Sequence, residues 1–143
     1  MPKIFDGNKQ TLTSGYGTGL TPKQKQSRAW KLDPQVVSTE TVAAGNGSGN
    51  AVALSTTSTV SFVTTATNSS HVSLADGITG QVKIIVHKTR SNSTDLVITP
   101  ANFAAGSTLT SNLGSRSVTL LFDGTNWQVI AGEITGTAEF VIG

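Results

Sequence analysis

Between Val72 and Ile130 the chain reads VSLADGITGQVKIIVHKTRSNSTDLVITPANFAAGSTLTSNLGSRSVTLLFDGTNWQVI, a series of short apolar runs each closed by Gly, Asn, Asp or Ser. Apolar side chains recurring at every second residue line one face of a strand, whereas a helix needs them at intervals of three and four. The helical interval is never sustained here. The block is therefore confined to β structure, and the turns decide where each strand stops.

The clearest alternation is Gln81 to Lys88, with Val82, Ile84 and Val86 on one face and Gln81, Lys83 and His87 on the other. The apolar set is expected to point inward. Leu96 with Ile98, and Val118 with Leu120 and Phe122, repeat the pattern. Asp123-Gly124-Thr125-Asn126 should fold back as a hairpin loop onto Trp127 and Val129, because Gly or Asn supplies the positive φ such loops need. Asp76-Gly77 marks another turn. Thr99-Pro100-Ala101-Asn102 has the form of a helix start, with Thr99 as N-cap and Pro100 at the first position, and Gly106 limits it to about one turn.

Upstream, QVVSTETV can form a first strand and AAGNGSGN interrupts it. Two runs, AVAL and TVSFV, follow as one strand or as two separated by STT, and a last run from Thr137 to Ile142 can close a sheet. About eight strands at turn-delimited spacing, with no helix of useful length, predict an all-β, antiparallel β-sandwich or jelly-roll-like domain over residues 35–143. Ile85, Val97, Leu121 and Ile130 place large apolar groups on the face that alternation leaves wet. A chain this short has little material for a third layer, so these four residues are expected to form an oligomer interface with other copies of the chain.

Residues 1–34 differ in kind. They show no periodicity and predict an extended arm. Six cations, Lys3, Lys9, Lys23, Lys25, Arg28 and Lys31, stand against Asp6 and Asp33, leaving +4 there; the remainder of the chain carries −2, which together give the net +2. A basic segment ahead of a mildly acidic body fits an anchor that docks on an acidic protein surface, with Tyr16 and Trp30 adding apolar contact. Nucleic acid is the weaker expectation, since four cations around Trp30 have no basic face on the body to extend them.

Catalytic and metal chemistry find few residues. The chain has no cysteine, which removes thiolate nucleophiles and zinc-thiolate sites. His71 and His87 lie in different predicted strands without a carboxylate at ligand spacing. No serine stands in G-x-S-x-G or S-x-x-K, and the acids are dispersed, mostly at turns. The clusters Gly15-Tyr16-Gly17-Thr18-Gly19 and Gly45-Asn46-Gly47-Ser48-Gly49 precede no predicted helix, so both are expected to be linkers, not phosphate loops. No enzyme activity, metal or cofactor is expected. No apolar run approaches the length of a membrane span and MPKIFDGNKQ lacks the apolar stretch of a signal peptide, so no membrane partner and synthesis in the cytoplasm are expected.

Three segments, D-G-x-x-G-Q-x-K-x-I at 76–85, V-I-T-P-A-N at 97–102 and S-V-T-L-L-F-D-G-T-N-W-x-V-I at 117–130, resemble a module of structural proteins of tailed bacteriophages, notably those of cyanobacteria and marine bacteria. The resemblance covers Val72 to Ile130 and leaves the first 34 residues outside. It implies a β-rich virion component with Asp76, Gly77, Gly80, Pro100, Gly124 and Trp127 as turn and core positions and no catalytic residues. A fibre protein would add repeats or a coiled coil. One module behind a basic arm matches instead a capsid decoration (cement) protein, a trimer near local three-fold positions that grips the major capsid protein on the outer shell. A tail-fibre component or a carbohydrate-binding β module using Tyr16, Trp30 or Trp127 as a sugar platform is the alternative.

Overall fold

The computed structural model describes residues 37–65, 69–132 and 140–143. The strands are β1 (Thr39–Ala43), β2 (Gly45–Asn46), β3 (Val52–Leu54), β4 (Val60–Thr64), β5 (Ser70–Leu74), β6 (Val82–Thr89), β7 (Leu96–Pro100), β8 (Leu109–Ser111), β9 (Arg116–Phe122), β10 (Trp127–Ala131) and β11 (Val141–Ile142), with a single 3-10 turn at Ser48–Asn50. They form two sheets. Sheet A has the order β1-β4-β6-β9-β10, and sheet B the order β11-β8-β7-β5-β2, with β3 also pairing with β5. The fold is an all-β sandwich.

Both sheets are mixed, not purely antiparallel as the turn pattern predicts. From β3 to β7 the chain crosses to the other sheet at every connection but stays parallel within each sheet. Thr39, Val60 and Ile84 stack as partners in β1, β4 and β6, and Val52, Val72 and Ile98 stack in β3, β5 and β7. Parallel neighbours need a long crossover, usually a helix. Here a strand of the opposite sheet serves as that crossover, so the first part of the domain is a flattened coil. The later strands pair antiparallel: β8 returns on β7 and β10 on β9 as consecutive strands, while β9 pairs with β6 after the chain has passed through β7 and β8 of sheet B. Period-two alternation is the same in both arrangements, which is why the sequence does not separate them.

The core lies between the sheets and contains Leu54, Val63, Val72, Leu74, Ile85, Leu96, Ile98, Leu109, Val118, Leu120, Phe122, Trp127 and Phe140. Trp127 is fully buried, its ring 5.1 Å from that of Phe122, and its indole N–H donates to the Ala75 carbonyl at 3.0 Å. The hairpin at Asp123 forms as expected. Gly124 has φ 107°, and the Asp123 carboxylate accepts from the N–H groups of Thr125 and Asn126, both at 2.8 Å.

Two expectations are corrected. Thr99-Pro100 does not open a helix: both residues finish β7, and Pro100 is buried opposite Leu74. A proline is tolerated there because it ends the strand, and the next N–H, that of Ala101, satisfies the Leu74 carbonyl at 2.8 Å. The second correction concerns β6, which is turned over. Lys83, Ile85 and His87 face the core and are each 0 % exposed, while Val82, Ile84 and Val86 face outward.

Candidate functional site

The reversal of β6 shapes both faces of sheet A. On the inner side, Lys83 enters the sandwich near the β3–β4 connection. Its ammonium donates to the carbonyls of Ser55 and Ser58, both at 2.7 Å, and lies 3.3 Å from the Glu40 carboxylate on β1. That carboxylate also accepts from the Ser61 hydroxyl at 2.8 Å and from the Ser55 N–H at 2.9 Å. Burial pushes the Lys83 amine below its ordinary value, and the hydrogen bond and charge of Glu40 oppose the shift. A buried cation costs less when its donors all find acceptors, and every acceptor here comes from β1 or from the loop that it closes.

At the other end of β6, His87 packs against β8. Its Nδ1 lies 2.9 Å from the Ser111 hydroxyl, which itself donates to the Leu113 carbonyl at 3.0 Å. With that hydroxyl proton committed to Leu113, the Ser111 oxygen accepts from Nδ1–H, leaving Nε2 facing the Thr65 hydroxyl at 3.5 Å. Burial, followed by the nearby Arg90 cation, lowers the imidazole's affinity for a proton; Asp95 and the Leu113 carbonyl act in the opposite sense. His87 and Ser111 thus make a closed core contact without access for a substrate.

The outer side of sheet A carries Phe62, Val82, Ile84, Val86 and Leu121, all at least partly exposed. Register makes this a continuous patch: Phe62 is the partner of Val86, and Val82 that of Leu121. Each end carries a charge. The Lys88 ammonium lies over the Phe62 ring at 5.9 Å from its centroid. Across the patch, Asp123 follows β9 and accepts from the Gln128 amide at 2.7 Å, Gln128 being the partner of Leu121. The hydrogen bonds from Asn126, Gln128 and Thr125 hold the Asp123 carboxyl below its usual value, so it is an anion throughout the neutral range.

The four expected interface residues divide. Leu121 lies on the outer face of sheet A. Ile130 sits at the irregularity of edge strand β10, between Val129 and Ala131, and is 54 % exposed. Val97 lies on the outer side of sheet B, half-buried beside a polar recess of about 240 Å³ whose lining includes Ser69, Asn92, Ser93, Thr94 and Asp95. Ile85 is a core residue and cannot serve an interface; its ladder partners are Ser61 and Val118. Val82, Ile84 and Val86, whose alternation is the usual mark of a buried row, stand on this outer face instead, with Phe62 beside them. The arm residues Lys3, Lys9, Tyr16, Lys23, Lys25, Arg28, Trp30 and Lys31 lie outside the described residues.

Among the described residues no cluster of three His, Asp or Glu side chains could hold a metal ion, and no helix is long and apolar enough to cross a membrane. The polar recess offers hydroxyls, an amide and the Asp95 carboxylate, which Arg90 already engages at 2.8 Å. No protein family, curated protein or solved structure matches the chain.

Proposed function

We propose that this chain is a bacteriophage capsid decoration protein, a non-enzymatic virion component. The β-sandwich forms an oligomeric knob on the outer shell and the basic N-terminal residues bind the major capsid protein. The resemblance of residues 72–130 to tailed-phage virion modules supports the virion setting, and a trimer at local three-fold positions is the arrangement that it implies. One observation carries the division of labour. All six N-terminal cations precede Val37, where the described domain begins, and the residues of that domain close a core without them. Charge on which the core does not draw can serve attachment.

Attachment of this kind is multivalent: linking several weak contacts through one oligomer raises the effective concentration of each for the next. Deleting residues 1–33 tests it. Binding to purified capsids should disappear while the cooperative thermal unfolding of the β domain is retained. Normal occupancy by the truncated protein would defeat the assignment of attachment to those residues. Trp127 is enclosed in the core, so of the three aromatic candidates for a sugar platform it is unsuitable.

A further inference from the structure

We propose that the open end of the flattened coil, made by β1 and the β2–β3 edge, pairs two copies of this chain, β1 lying antiparallel to β1 about a two-fold axis at Thr41. This goes beyond the decoration reading and does not rest on it, since it concerns contacts between β domains and not attachment to a shell.

The two edges of sheet A are finished differently. At one, β10 is blocked: the Trp127 N–H donates to the Asn102 carbonyl at 2.7 Å, the Ala104 N–H donates to the Trp127 carbonyl at 3.1 Å, and the ladder is irregular between Val129 and Ala131. At the other, β1 keeps an unbroken register with β4 over five residue pairs. Its bonds to β4 run through even-numbered residues: the Val60 N–H donates to the Ser38 carbonyl at 3.1 Å and the Ala44 N–H to the Thr64 carbonyl at 2.9 Å. Alternation along a parallel strand then turns the N–H and C=O groups of Thr39, Thr41 and Ala43 away from β4.

Such an edge is ordinarily guarded by a charge, a proline or a bulge, and a stack of repeated strands by a polar end unit. β1 has no proline and no bulge. From Val37 to Leu54, which takes in β1, β2 and β3, Glu40 is the only charged residue, and Lys83 neutralises it from inside the sandwich. Val37 and Val52 are exposed on the same segment.

The occupant is a second copy because this end offers no charge for an acidic or basic partner to read, while its outward groups are symmetric about Thr41. With the axis there, Thr41 meets Thr41 and Thr39 meets Ala43 on either side, each pair exchanging both of its N–H···O bonds. Moving the axis to Glu40 would oppose two carboxylates and carry Ala43 past the end of the partner strand; moving it to Val42 would do the same to Thr39. Thr41 alone uses the whole strand. About 17 Å of strand across two layers some 10 Å apart gives a contact on the order of 350 Å². That is below the roughly 800 Å² per partner of stable complexes, so the pair should form in the upper micromolar range.

Amide exchange in the full chain reads the edge directly. The N–H groups of Thr39, Thr41 and Ala43 should exchange fast in dilute solution and about threefold more slowly near millimolar concentration, whereas those of Glu40 and Val42, turned to β4, should be slow at both. Sedimentation over the same range should show a monomer–dimer equilibrium. Thr41→Lys, at an exposed position, sets two cations together on the axis and should weaken pairing by about tenfold or more. Thr125→Lys, exposed in the β9–β10 loop, adds the same charge elsewhere and should leave it unchanged. Because the chain has no cysteine, a short bismaleimide should join two copies of Thr41→Cys and should fail with Ile130→Cys on the opposite edge. A trimer, a monomer throughout, pairing untouched by Thr41→Lys, or cross-linking at position 130 and not at 41 would overturn the proposal. So would slow exchange at Thr39, Thr41 and Ala43 in the dilute monomer, which would mean that another part of the chain lies on this edge.

Discussion

Lys83 shows how one side chain can overturn a pattern. Counted by hydropathy, Val82, Ile84 and Val86 outrank Lys83, Ile85 and His87 for the inward row. The chain takes the other choice because Ser55, Ser58 and Glu40 supply acceptors to the ammonium, and Ser111 and Thr65 face the imidazole. None of those partners is near in sequence, so alternation alone had no access to them. Lys83→Met should destabilise the domain by about 3 kcal/mol, since it strips acceptors of their donor inside the sandwich, and chemical denaturation would measure it. Titration separates the two groups. His87 is held below its unfolded value of about 6.5, so its neutral form supports the fold above that pH. Stability is then lost as pH falls below about 6.5 toward the folded value. The slope cannot exceed about 1.4 kcal/mol per pH unit for this one proton. His87→Gln should flatten the wild-type decline in that window. Lys83, also lowered, acts in alkali: stability rises as pH climbs from its folded value toward about 10.5, where the unfolded chain too gives up the proton.

Among the elements, the β9–β10 hairpin was the most legible from sequence, because its parts are local. Asp123 caps its own turn, Gly124 takes the φ that L residues avoid, and Trp127 follows as a core residue. Gly124→Ala forces a side chain into that conformation and brings its Cβ to within 2.7 Å of the Thr79 hydroxyl. The cost should be about 2 kcal/mol, and a fall in Tm on the order of 10 °C is expected by calorimetry. The β1–β4–β6 and β3–β5–β7 ladders were illegible for the opposite reason. Their partners are separated by an intervening strand of the other sheet, and period-two alternation carries no information on strand direction. Thr99-Pro100 belongs with them: a proline that looks like a helix start ends a strand because Ala101 takes over the hydrogen bond it lacks.

At the scale of the whole molecule, the edge position of β1 decides how the domain would respond to a pull. Residues 37–38 lead into this strand, which among the described residues pairs with β4 alone along sheet A, over five residue pairs. A strand drawn along its own axis must break its hydrogen bonds together, whereas one lifted sideways surrenders them in turn. Glu40 adds a cross-pin partway along β1, joining it to Ser61, Ser55 and Lys83. Single-molecule stretching from the N-terminus should therefore show a force peak for release of β1 ahead of the rest of the domain, and Glu40→Gln should lower that peak more than it lowers the midpoint of chemical denaturation. Under the proposed attachment through the N-terminal residues, β1 would then act as a fuse: under tension the first strand yields, and the sheet behind it remains folded.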